Sequence, residues 1–115
     1  MSALQADSQE AERRQITVMF CDLVGSTALS TVLDPEDLRE IIRDYQRVCS
    51  EVIQGLDGYV AQYLGDGLLV YFGFPQVHED SPERAIQAGL EIIAALETRN
   101  SQELSARGFP LAVRI

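Results

Sequence analysis

Two short β-rich runs, 59–64 and 68–72, are separated only by Gly65-Asp66-Gly67. An Asp-Gly turn between apolar runs signals an antiparallel hairpin. That one feature removes the alternating β/α windings, whose consecutive strands are parallel and joined by crossovers of about a dozen residues or more. Any sheet built around this hairpin is mixed or antiparallel.

The other elements are read around it. Ile16-Thr17-Val18-Met19-Phe20-Cys21 is the first strand, apolar on both faces and therefore expected at the centre of its sheet. It stops at Asp22, and Leu23-Val24-Gly25-Ser26-Thr27 is a small-residue turn opening a short helix near 27–32. Asp34-Pro35-Glu36-Asp37 supplies a cap, a proline at the first helical position and acids in the first turn. Leu38, Ile41, Ile42, Tyr45, Val48, Cys49, Val52, Ile53 and Leu56 then keep the spacing of a long one-sided helix, closed by Gly55 and Gly58. Ser81-Pro82-Glu83 opens another helix, with Ala85, Ile86, Ala88, Leu90, Ile93, Ala95 and Leu96 as its apolar face, fading by Asn100. Residues 109–115 begin a last strand. The order β-α-α-β-β-α-β, with helices on one face, predicts an α+β layer of the ferredoxin-like, split-βαβ kind. Residues 1–14 read as a polar tail or connector and 15–115 as the domain. The sequence stops inside an apolar run, so the fourth strand is expected to be truncated and the domain to continue.

Composition narrows the chemistry. The chain carries 18 acids against 9 basic residues, for a net charge of −9, and every basic residue is Arg. Without Lys there is no Walker-A phosphate loop and no Schiff-base lysine. One His and two Cys cannot build a structural zinc site of four cysteines, or of two cysteines with two histidines. The acidic balance argues against a nucleic-acid partner and against contact with an anionic membrane, and no apolar run approaches the roughly 20 residues of a membrane span. Cys21 and Cys49 read as free buried thiols and the N-terminus lacks a signal-peptide core, so a cytoplasmic protein is expected. A polyanion bound here needs a metal ion to neutralise it.

Two acids stand out. Asp22 ends the first strand and Asp66 sits at the hairpin tip. Singly, each reads as a cap or a turn residue. If the hairpin lies beside the first strand, however, both carboxylates reach one end of the sheet. Two carboxylates on rigid elements suit Mg²⁺ or Mn²⁺. The backbone N–H groups of the turn at 23–27 can hold phosphate oxygens without Lys, although Ser26 or Thr27 can equally be an ordinary cap.

Phe20-Cys21-Asp22-Leu23-Val24-Gly25-Ser26-Thr27, followed after a long helix by Gly58-Tyr59-Val60-Ala61-Gln62-Tyr63-Leu64-Gly65-Asp66-Gly67-Leu68-Leu69-Val70-Tyr71-Phe72-Gly73, resembles the N-terminal part of the catalytic domain of class III adenylate/guanylate cyclases. The resemblance covers about residues 14–115 and is closest to bacterial members. It implies that Asp22 and Asp66 bind two Mg²⁺ or Mn²⁺ ions with the backbone carbonyl of Leu23. It implies too that Val24, Gly25, Ser26 and Thr27 hold the triphosphate of ATP or GTP. One ion would activate the ribose 3′-hydroxyl and the other the leaving pyrophosphate. A second cyclase domain, in a homodimer or pseudo-dimer, would complete the site with an Asn and an Arg, so residues 1–115 alone are expected to be inactive.

The sequence departs from the pattern at Gln62, where family members commonly carry a Lys that helps read adenine. A Gln amide both donates and accepts, so it can contact either purine. It is not the acid a guanine reader uses, which places ATP ahead of GTP. The alternative is a non-catalytic, cyclase-like module that binds nucleotide or dimerises. The Gly-Gly-Asp/Glu-Glu-Phe hairpin of diguanylate cyclases is absent. His78 reads as a loop residue, and Arg39, Arg43 and Arg47 as solvated partners of nearby acids.

Overall fold

The computed structural model describes residues 15–107 and 112–115. The expected tail at 1–14 and the start of the last strand at 109–111 lie outside the described residues. The elements are β1 (Thr17–Val24), α1 (Ser26–Leu29), α2 (Pro35–Gly55), β2 (Tyr59–Leu64), β3 (Gly67–Phe72), α3 (Ser81–Arg107) and β4 (Ala112–Arg114). The sheet order is β2-β3-β1-β4 and every pair is antiparallel. The expected hairpin and the central position of the first strand are both present. β3 lies between β1 and β2, and β1 between β3 and β4, which is the split-βαβ arrangement.

β1 runs two residues past Asp22, because Asp22, Leu23 and Val24 pair with Arg114, Val113 and Ala112 of β4. Its alternation is clean. Met19, Cys21 and Leu23 are buried against the helices, while Val18, Phe20, Asp22 and Val24 face outward. The apolar character of both faces therefore marks a strand that is central within the sheet but, among the described residues, covered on one side only.

The helices form as their end signals dictate. The Asp34 carboxylate accepts the Asp37 N–H at 2.9 Å, capping α2. Tyr45, Val48, Cys49 and Ile53 of α2 are buried, and Leu38, Ile41, Ile42, Val52 and Leu56 pack around the core. The helix closes where the Gly58 N–H donates to the Ile53 carbonyl at 2.9 Å. Gly58 is required there: a Cβ would stand 2.6 Å from Ile53 Cγ2 and 2.8 Å from the Phe72 ring. Arg84 of α3 ties the same turn by donating to the Leu56 carbonyl at 3.2 Å and the Asp57 carboxylate at 3.0 Å. Arg47 pairs with Asp44 and Glu51, and Asp44 also pairs with Arg99 of α3.

α3 differs from expectation in two ways. It continues to Arg107 instead of fading at Asn100, since nothing between Asn100 and Gly108 is a helix breaker. Its buried stripe is Ala88, Ile92 and Leu96, whereas Ile86, Leu90 and Ile93, assigned above to the core face, are exposed. Ile86 and Leu90 instead line an open groove of about 510 Å³ with Val18, Phe20 and Ile115. The groove runs beside residues 17–20 of β1, which have no β4 partner among the described residues. No described helix is long and apolar enough to cross a membrane.

Candidate active site

The β1–β3 register builds the site. It sets Asp22 opposite Gly67, the residue after Asp66. The Leu23 N–H donates to the Asp66 carbonyl at 3.3 Å, which fastens the hairpin tip to the end of β1. Asp22 and Asp66 thus share one end of the sheet, as their sequence positions predict. Gly67 is the close-packed point of this junction. A Cβ there would lie 2.3 Å from the Cys21 carbonyl oxygen and 2.8 Å from Asp22 Oδ1. Only glycine lets the hairpin approach β1 with the Asp22 carboxylate standing over it.

Val24 to Thr27 follow directly from the same strand end. Gly25 adopts φ +80°, the left-handed conformation that turns β1 into α1. Its carbonyl accepts the Leu29 N–H at 3.0 Å. The side chains of Val24 and Thr27 and the backbone at Gly25 are exposed, and Ser26 opens α1.

Gln62 reaches the open face by an irregularity that the sequence does not announce. The β2–β3 register shifts between Val60 and Gln62, so Gln62 stands opposite Leu69 and not opposite the buried Leu68. A bulge of this kind re-aims the side chains that follow it. Leu69 also pairs with Phe20 of β1, which puts Gln62, Leu69 and Phe20 in one row on the face that carries Asp22. Phe20 is 56% exposed. The sequence reading placed Phe20 in the first strand without assigning it to the site; its place two residues before Asp22, hence on the same strand face, is the signal that locates it here.

Gln46 is a second residue that sequence reasoning missed. Its amide nitrogen lies 3.5 Å from the Leu64 carbonyl, 3.2 Å from that of Gly65 and 3.2 Å from that of Gly67. Nothing in the sequence sets it apart from the other polar positions of α2. His78, by contrast, sits in the loop beyond the far end of β3, where its carbonyl accepts the Ser81 hydroxyl at 2.9 Å.

On the covered side of β1, the Cys21 thiol meets Cys49 of α2. The hydrogen bond with Cys21 and burial push the Cys49 thiol well above its ordinary range. Burial does the same to the Tyr45 phenol, whose enclosed hydroxyl has no partner better than the weakly bonding Cys49 thiol.

Among the described residues no group of three or more His, Cys, Asp or Glu side chains can hold a metal. The donors at the strand end are oxygens alone: the carboxylates of Asp22 and Asp66 and the Leu23 carbonyl. A sparse oxygen set of this kind fits Mg²⁺ or Mn²⁺, which keep positions for water and substrate phosphates.

The sequence model of the Adenylate and Guanylate cyclase catalytic domain matches residues 8–115. The chain belongs to this family. The cyclase domain is 30% identical over 100 residues to adenylate cyclase 1 of Rhizobium meliloti, spanning 87% of this chain and 15% of that protein. It superposes on the adenylyl cyclase CyaB from P. aeruginosa with a TM-score of 0.81 at 27% identity, covering 90% of this chain and 54% of that one. The guanylyl cyclase Cya2 gives a TM-score of 0.79 at 33% identity, covering 88% and 52%. The cyclase domain therefore spans about half the length of these two solved structures and a much smaller share of that curated relative.

Proposed function

We propose that this cyclase domain, paired with a second cyclase domain, converts ATP in preference to GTP into 3′,5′-cyclic nucleotide and pyrophosphate. The observation that carries the reading is the β1–β3 register, which brings Asp22 and Asp66 to one strand end beside an exposed glycine turn. Asp22, Asp66 and the Leu23 carbonyl would hold two Mg²⁺ or Mn²⁺ ions. When bound, such ions supply charge neutralisation for the triphosphate and lower the pKa of the ribose 3′-hydroxyl.

The chain's own residues do the rest by position. The backbone from Val24 to Thr27 binds phosphate oxygens next to the carboxylates, so a chain of net charge −9 can accept a triphosphate without Lys. Holding the ribose hydroxyl in line with the α-phosphorus removes much of the entropic barrier to cyclisation. The row of Phe20, Leu69 and Gln62 leads from the carboxylates across the open face, and on this reading Gln62 would contact the base. A Gln amide can satisfy the adenine edge as donor and acceptor, whereas the acid that a guanine edge prefers is absent.

Full-length protein supplied with Mn²⁺ and either nucleotide tests this directly. Cyclic AMP formation exceeding cyclic GTP formation is expected, and Gln62→Lys should raise the ATP-to-GTP ratio several-fold. An unchanged ratio would remove Gln62 from the base pocket. Nucleotide binding with no turnover would instead support the non-catalytic module, the reading that the absence of Lys at position 62 favours.

A further inference from the structure

We infer that Gln46 is a positioning residue that sets the metal-binding geometry by clamping the hairpin that carries Asp66. The inference rests on the reading of Asp66 as a metal ligand. Three carbonyls flank Asp66 on both sides, those of Leu64, Gly65 and Gly67, and all three point at one amide nitrogen of Gln46 at 3.5, 3.2 and 3.2 Å. The carbonyl of Asp66 itself is taken by the Leu23 N–H at 3.3 Å. The turn is thus held from two sides, by β1 and by α2.

Three acceptors facing one head group fix the orientation of the amide, because its oxygen would be repelled there. An amide nitrogen has two hydrogens, so the three contacts share them. Hairpin tips are otherwise among the mobile parts of a fold. Here the tip is pinned to a helix of 21 residues whose own buried face is fixed by Tyr45, Cys49 and Ile53. Gln46 touches backbone carbonyls only, so its effect on a metal passes through the position of Asp66.

Two substitutions separate the donor from the shape. Gln46→Glu keeps the size and removes the hydrogens, setting an anion against three carbonyls. Gln46→Lys keeps a donor, with three hydrogens for three acceptors. In the full-length protein, Mn²⁺ binding is measured by electron paramagnetic resonance, alongside turnover as a function of Mn²⁺. Gln46→Glu should weaken Mn²⁺ binding and raise the half-saturating Mn²⁺ concentration by at least about tenfold, the scale of lost support behind a metal ligand. Saturating Mn²⁺ should recover most of the turnover, and Gln46→Lys should titrate close to the native protein. Gln46→Asn, too short to reach the turn, should shift in the same direction as Gln46→Glu. A merely structural role would lower turnover at every Mn²⁺ concentration without moving the half-saturation point. Native Mn²⁺ binding in Gln46→Glu, while Asp66→Ala loses the ion, would overturn the clamp and leave the site reading intact. Native Mn²⁺ binding in Asp66→Ala would overturn the site reading itself.

Discussion

Cys21 and Asp22 are neighbours in sequence and face opposite ways, and that single step of strand alternation divides the chemistry from the core. Outward, Asp22 joins the hairpin tip. Inward, Cys21 meets Cys49 and Tyr45 in a pocket of weak polar partners. The Tyr45 hydroxyl is buried with no partner better than the weakly bonding Cys49 thiol, so Tyr45→Phe should stabilise the domain by about 1 kcal/mol at pH 7, the scale of a poorly met buried polar group. Burial holds the folded-state pKa of Tyr45 above its unfolded value. Stability from the neutral phenol is therefore complete below about pH 10, and it falls as pH rises further because only the unfolded chain ionises. Urea unfolding at pH 7 and pH 10.5 checks both points. The native protein should lose more stability across that interval than Tyr45→Phe, and a Tyr45→Phe protein that is clearly less stable at pH 7 would contradict the account. At this scale the sequence was informative about Asp22, Asp66, Cys49 and Tyr45, because strand ends, turn tips and helix faces have periodic signals. Gln46 was not legible, since its partners are backbone carbonyls 18 to 21 residues away and backbone carries no sequence signal.

The hairpin is the element on which the site depends, and its approach to β1 is set by Gly67. Gly67→Ala would put a methyl group 2.3 Å from the Cys21 carbonyl oxygen and 2.8 Å from Asp22 Oδ1. Backbone must move to relieve a contact of that kind, so a loss of about 1–3 kcal/mol is expected, measured as a fall in melting temperature together with weakened Mn²⁺ binding. Unchanged stability and metal affinity would show that the junction is looser than its geometry states. The hairpin and α2 were readable because the Gly-Asp-Gly turn and the capped 3.6-residue period are local codes. The bulge that turns Gln62 onto the open face was hidden, because it belongs to the pairing of two strands and not to either one. α3 was half readable. It carries two apolar stripes, and periodicity alone does not say that Ala88, Ile92 and Leu96 are buried while Ile86, Leu90 and Ile93 border the groove.

Among the described residues, one face of the sheet is packed by helices and the other is open, carrying Val18, Phe20, Asp22 and Val24. The groove beside residues 17–20 of β1 is apolar and is left uncovered by the described residues, and the chain spans 54% of the P. aeruginosa cyclase structure. The proposed reading divides the site between two cyclase domains. Residues 1–115 on their own should form no cyclic nucleotide from ATP with Mn²⁺, and detectable cyclic AMP from that purified chain would refute the two-domain site. The central claim is that Asp22 and Asp66, joined by the β1–β3 register, are the metal-holding pair of a nucleotidyl cyclase. Its most direct test is Mn²⁺-dependent cyclic AMP formation by full-length protein, native against Asp22→Ala and Asp66→Ala. Metal stabilisation worth several kcal/mol predicts a loss of at least about a hundredfold in each variant with the fold retained; full activity in either variant would contradict the claim.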